Sequence, residues 1–123
     1  MARILVIDDD SDIRNIIQKF LSIEGHEVDT AGNGTVGLKM VGLTSYDLLI
    51  TDIIMPEQDG LEVITAIRKN YPLLRTIVMT GGGARLDINN LLTTARIMGA
   101  DKMLSKPLDF VKLQAVVKEV LAV

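Results

Sequence analysis

The 123 residues predict an α/β domain, a parallel sheet with helices on both faces. Three observations lead there. Short apolar, β-favouring runs alternate five times with stretches whose apolar residues recur at helical spacing, which is the pattern of repeated βα units. The runs stop abruptly at residues that carry chemistry: Ile4 to Ile7 at Asp8-Asp9-Asp10, Leu48 to Thr51 at Asp52, Thr76 to Met79 at Thr80, and Lys102 to Ser105 at Lys106. Finally, 48% of the chain is apolar but only 3% aromatic, so Ile, Leu, Val, Met and Ala must fill the core in tight layers.

The elements follow in order. Asp10 or Ser11 can cap a first helix in which Ile13, Ile16, Ile17, Phe20 and Leu21 share a face, with Gly25 as its stop. Glu27 to Ala31 alternates weakly and predicts an edge strand with one wet face. Asn33 caps a short helix to about Gly42. After the strand ending at Asp52, Leu61, Ile64, Ala66 and Ile67 give a third helix, which stops before Tyr71-Pro72 because the residue before a proline disfavours helix. A fourth strand starts near Thr76. Asp87 caps a helix through Leu91, Leu92, Ala95 and Met98 to Gly99, and Asp109 caps the last, with Phe110, Leu113, Val116, Val117, Val120 and Leu121 inward. With no linker, repeat or low-complexity stretch, residues 1–123 are expected to form one domain around one core, and any second domain would lie beyond this sequence.

Charge and composition narrow the function. The net charge is −3 with basic residues scattered, so no basic footprint for nucleic acid is present and direct DNA contact is not expected. There is no cysteine, which excludes a disulfide framework and thiolate metal sites. Met1-Ala2-Arg3 leads straight into a short run followed by acids, unlike a signal peptide, and no apolar run reaches membrane-spanning length. A cytoplasmic protein without membrane contact is the expectation.

If the strands are parallel, their carboxyl ends bring Asp8, Asp9, Asp52, Thr80 and Lys106 to one edge, where open α/β sheets place ligands. Three adjacent carboxylates repel unless a cation neutralises them. An all-oxygen set suits Mg²⁺. Asp10 serves as a helix cap, but three consecutive acids exceed what a cap requires. Lys106 can neutralise an anion beside the metal, and the Thr80 hydroxyl and the Gly81-Gly82-Gly83 amides can meet its oxygens. Metal, hydroxyl, lysine and bare amides together suit a phosphoryl group with Asp52 as nucleophile.

On these residues the whole chain resembles a response-regulator receiver domain. The resemblance rests on Asp8-Asp9 after strand one, Asp52 followed by Met55-Pro56 and Asp59-Gly60, Thr80 followed by a small residue, and Lys106-Pro107. It implies a flavodoxin-like, doubly wound five-stranded sheet of order 2-1-3-4-5 with five helices. It further implies that Asp52 takes a phosphoryl group from a phosphohistidine on a sensor histidine kinase or histidine phosphotransfer protein, the domain aiding its own phosphorylation and dephosphorylation. Asp9 and Asp52 would bind Mg²⁺ directly, Asp8 through water, and the Ile54 carbonyl would complete the ligands. Lys106, Thr80, Gly81 and Ile54 would surround the phosphoryl group. Movement of Thr80 would then shift the surface of the fourth predicted helix, fifth strand and last helix, which a downstream target or fused output domain would read. The Lys106-Pro107 bond is expected to be cis.

The sequence departs from the family pattern in three places. Met103 stands three before Lys106, where a tyrosine or phenylalanine is usual. The segment from Thr80 to Lys106 is a few residues longer than the family pattern, with the excess in Gly81 to Leu86. Ile54 is apolar where a polar side chain often orients attacking water; slow loss of phosphate follows, and an unchanged dephosphorylation rate in Ile54→Asn would contradict it.

Other readings compete. Gly32-Asn33-Gly34-Thr35-Val36-Gly37 fits a dinucleotide fingerprint, although Glu27 to Ala31 is too polar for a central strand. Asp8-x-Asp10 resembles the nucleophile motif of haloacid-dehalogenase-type phosphohydrolases, which would make Asp8 the phosphorylated residue. A receiver that binds partners without phosphorylation is the third. His26 reads as a loop residue far from Asp52, and Met40, Met79 and Met98 as core fillers. Leu108, Phe110 and Met103 form either a partner surface or part of the core.

Overall fold

The computed structural model describes residues 1–53, 60–80 and 99–122. Its elements are β1 (Arg3–Ile7), α1 (Ser11–Ile23), β2 (Glu27–Ala31), α2 (Gly34–Leu43), β3 (Leu48–Asp52), α3 (Gly60–Asn70), β4 (Arg75–Thr80), β5 (Lys102–Ser105) and α4 (Phe110–Leu121). All pairings are parallel and the strand order is β2-β1-β3-β4-β5, as the resemblance implied. The helix expected from Asp87 through Leu91, Leu92, Ala95 and Met98 lies outside the described residues, as do Ile54, Met55-Pro56, Asp59, Gly81 to Gly83 and the side chain of Leu61. Four of the five expected helices are therefore seen.

Strand periodicity builds the two layers. Along a strand alternate side chains face opposite sides. Ile4 and Val6 of β1, Leu48 and Ile50 of β3, Ile77 and Met79 of β4 and Leu104 of β5 pack with Ile17 and Leu21 of α1 and Leu113, Val117 and Val120 of α4. Leu5, Ile7 and Leu49 face the other way, onto Val41 of α2 and Val63 and Ile67 of α3. The central strands are covered on both faces, which is why β1 and β3 read as continuous apolar runs. On the edge strand β2, Val28 and Ala31 are buried while Glu27 and Asp29 are exposed, so the expected wet face is there.

Local chemistry sets the helix ends. Asp10 is the N-cap of α1, its carboxylate accepting from the Asp12 and Ile13 amides; Asn33 caps α2 and Asp109 caps α4 in the same way. Gly25 ends α1 with φ +96°, the left-handed region where a Cβ is disfavoured. Ile16, expected on the inner face, is 50% exposed. At about 100° per residue it sits about 120° from the line through Ile17 and Leu21, beyond the arc the sheet covers.

Phe110 and Leu108 are partly buried against the α1/α4 layer, and Met103 against Ile53, Ile64 and Val78. Of the two alternatives these three belong to the core more than to an exposed patch. Met79 is buried and Met40 packs on the second layer, while Met98 lies outside the described residues. His26 lies between α1 and β2, at the amino-terminal edge of the sheet, where its Nδ1 accepts from the Ala2 amide at 3.0 Å. Burial, then the nearby amino terminus, lower its pKa against the opposing charge of Glu24.

Gly37 explains part of the glycine-rich stretch. A Cβ there would lie 2.2 Å from Ile7 Cδ1 and 2.8 Å from Cγ1, so only glycine lets α2 settle on β1. Gly37→Ala is expected to destabilise the domain by about 2 kcal/mol through overpacking, and Ile7→Val, which removes Cδ1, should recover part of that in the double variant. Urea unfolding of the three proteins checks this. Because this stretch follows an edge strand and its last glycine serves packing, a dinucleotide role has no support in the fold.

Candidate functional site

Strand parity places the site. Asp8 comes two residues after Val6, Asp52 two after Ile50 and Lys106 two after Leu104, so all three continue the rows that face α1 and α4. Ile7 pairs with Thr51, which sets Asp8 beside Asp52 at adjacent strand ends. β5 is two strands from β3, and the lysine reaches over the end of β4 to cover the difference. Its Nζ donates to Asp8 Oδ2 at 2.8 Å and to Asp52 Oδ2 at 3.0 Å.

The approach to β5 is pinned from both ends. Arg68 of α3 donates to Asp101 Oδ2 at 3.0 Å and to Thr76 Oγ1 at 3.2 Å, and Asp101 Oδ2 also accepts the Thr76 amide at 2.8 Å. At the other end the Lys106 amide donates to the Thr80 carbonyl at 2.7 Å, and the Lys106-Pro107 bond is cis as expected.

Asp8 is fully buried and held on several sides. Its amide donates to the Ala31 carbonyl at 3.1 Å, its Oδ1 accepts from the Asp10 amide at 2.9 Å, and its own carbonyl accepts from Arg14 Nη1 at 2.7 Å. Asp52 is nearly buried and Asp9 is exposed. Carboxylate oxygens of Asp8, Asp9 and Asp52 lie within 4.8 Å of one another. Burial pushes the Lys106 ammonium down, but its hydrogen bonds to Asp8 and Asp52 and their charges outweigh that and hold it above the ordinary lysine value.

Thr80 is 2% exposed and its Oγ1 has no hydrogen-bond partner among the described residues. A buried hydroxyl without a partner costs stability. Thr80→Val keeps the volume and removes the orphan. It is expected to stabilise the protein by about 1 kcal/mol in urea unfolding while removing a hydroxyl from the site edge. A destabilised variant would show that the hydroxyl is already satisfied.

The structure thus brings together Asp8, Asp9, Asp52 and Lys106, with Thr80 buried at the adjoining end of β4; Ile54 and Gly81 lie outside the described residues. Sequence reasoning missed Arg14. Its signal was present, since a long side chain one turn into a helix leans back toward the amino terminus and here that direction leads to the end of β1.

A doubly wound parallel sheet with an acid cluster and a lysine at its carboxyl edge places the chain in the class of open α/β domains that carry their site at the strand ends. The response regulator receiver domain model matches residues 4–118, and the chain belongs to this family, the receiver domains of two-component response regulators. It is 40% identical over 122 residues to the DNA-binding transcriptional regulator NtrC of Azospirillum brasilense, covering 98% of this chain and 24% of that protein. It is 34% identical over 123 residues to a CpxR homologue of Haemophilus influenzae, covering 98% of this chain and 51% of that protein. The chain therefore spans between a quarter and a half of the length of these relatives.

Solved structures agree. A response regulator receiver domain protein from Clostridium thermocellum superposes with a TM-score of 0.89 at 35% identity, covering 99% of this chain and 95% of that one. The response regulator TrrA of Thermotoga maritima, solved with Mg²⁺ and BeF, gives 0.83 at 37% identity, covering 98% and 100%.

Proposed function

We propose that Asp52 accepts a phosphoryl group from a phosphohistidine on a sensor histidine kinase or histidine phosphotransfer protein. The observation that carries this is the double hydrogen bond of Lys106 to Asp8 and Asp52 within the acid cluster. It puts one fixed cation against the carboxylate that would react and leaves Asp9 open to solvent.

The donor set fits Mg²⁺, because three carboxylates with no nitrogen or sulfur ligand form a hard, oxygen-only site. Asp8, Asp9 and Asp52 would hold the ion with the Ile54 carbonyl. When bound, Mg²⁺ neutralises the acids and the phosphoryl oxygens and so lowers the repulsion between anions. The remaining work falls to the chain. An Asp52 Oδ attacks phosphorus, the phosphorus–nitrogen bond breaks, and the electron pair leaves on the imidazole, which takes up a proton. Lys106 follows the developing charge on the phosphoryl oxygens, and the Thr80 hydroxyl gains there the partner it lacks among the described residues. Hydrolysis of the acyl phosphate by water returns Asp52.

The donor side chain arrives on another protein, so the site needs an open edge and no deep cavity. The groove of about 780 Å³ among Met1, His26, Tyr46, Tyr71 and Arg75 lies at the opposite edge of the sheet and takes no part. The reader of the signal is a downstream target or a fused output domain at the surface of β5 and α4. On this reading Met103, already packed against Ile53, Ile64 and Val78, stands in for the usual aromatic side chain of the switch. No described helix is long and apolar enough to cross a membrane, and a cytoplasmic site of action follows from the proposed donor.

The hydrolase alternative would need Asp8 as nucleophile. Both its oxygens are engaged, one by the Asp10 amide and one by Lys106, and Asp10 is the cap of α1. The deciding measurement is intact mass after incubation with Mg²⁺ and acetyl phosphate. A gain of one phosphoryl group that is lost with EDTA is expected. No gain, with the fold intact, would favour a binding module that works without phosphorylation.

A further inference from the structure

We infer that Arg14 is a positioning residue for the cation site, fixing the Asp8–Asp9 peptide from behind so that the Asp9 carboxylate faces Asp8 and Asp52. This rests on the cation-binding reading of the acid cluster above. Arg14 Nη1 donates to the Asp8 carbonyl at 2.7 Å. That carbonyl and the Asp9 amide belong to one planar unit, so holding the oxygen fixes the direction in which Asp9 leaves the strand. Asp9 needs such support, because it is the exposed member of the cluster. Asp8, by contrast, is already tied through its amide and both carboxylate oxygens.

Gly32 leaves room for the arrangement. A Cβ there would lie 3.3 Å from Arg14 Nη1 and 3.7 Å from its Cζ, so the end of β2 leaves a slot for the guanidinium. The first glycine of the Gly32-Asn33-Gly34-Thr35-Val36-Gly37 stretch is thereby accounted for without a bound nucleotide. The charge of Arg14 works against its geometry. A guanidinium this close to the acids opposes a second cation, so if charge were all that mattered, removing it would tighten Mg²⁺ binding. Positioning predicts the opposite sign.

The test is calorimetric titration of Mg²⁺ alone into wild type, Arg14→Met and Gly32→Ala, with folding checked by melting in EDTA and the Asp9 amide followed by NMR. Arg14→Met is expected to weaken binding roughly tenfold, the scale of outer-shell substitutions, despite losing a positive charge. Gly32→Ala, which keeps the charge and crowds the guanidinium, should weaken it by less in the same direction. The Asp9 amide should shift in both. Equal or tighter binding in Arg14→Met overturns the proposal; should that variant fail to fold, unchanged affinity in Gly32→Ala overturns it alone. A wild type that binds no Mg²⁺ sinks the cation-site reading itself and this proposal with it, and is told apart because the unmodified protein is then silent.

Discussion

Asp52→Asn is expected to show no gain in mass on incubation with Mg²⁺ and acetyl phosphate, under conditions in which the wild type gains one phosphoryl group. An amide oxygen is too weak a nucleophile to displace a leaving group from phosphorus, so the loss should be complete within detection. The fold should survive, because the asparagine oxygen can still accept from Lys106, and the ion pair between Lys106 and Asp8 at 2.8 Å remains. Melting in EDTA provides that control. The experiment also separates the competing chemistries, since uptake that persists in this variant would assign the reaction to Asp8. That result would require Asp8 to abandon the Asp10 amide and Lys106, which is why the opposite is expected.

The parts of this site that the sequence displays are those governed by short-range rules. Ile4 to Ile7 and Leu48 to Ile50 are fully buried, and such strand segments read as unbroken apolar runs because helices cover both faces. Period two then fixes that Asp8, Asp52 and Lys106 share a side of the sheet. The caps Asp10, Asn33 and Asp109 were legible for the same reason, each acting within three residues of itself. Strand order was not legible from pattern, since nothing in β2 or β5 names its neighbour; it came from the family resemblance. The missed features are long-range. Arg14 acts on Asp8 from a different element, and the reach of Lys106 over β4 depends on where the strand ends stand in space. Ile16 misled because helical spacing says which residues share an arc but not how wide an arc the sheet covers.

Lys106 links the stability of the domain to its chemistry, and Lys106→Met should expose both. Without cation, the ammonium is the charge that the structure sets between a fully buried Asp8 and a nearly buried Asp52. Removing it leaves two carboxylates facing each other in poor contact with water. Breaking a fully buried pair costs several kcal/mol. Here Nζ keeps some solvent contact, so the expected loss is about 2 kcal/mol, and for a domain of this size a fall in Tm of about 8 °C in EDTA. Saturating Mg²⁺ should close most of that gap, because it supplies the charge that methionine cannot. Mg²⁺ affinity should rise as phosphoryl uptake falls, since the competing ammonium is also the group that meets the phosphoryl oxygens. The pH dependence has a definite sign. The folded lysine titrates above its ordinary value of 10.5, so its stabilisation is fully present below that pH and is lost as pH rises through the higher folded value. The difference between wild type and variant should therefore be constant near neutrality and shrink in strong alkali. Equal melting of the two proteins in EDTA at neutral pH would mean that Lys106 is a solvated surface group and that another group balances the acids.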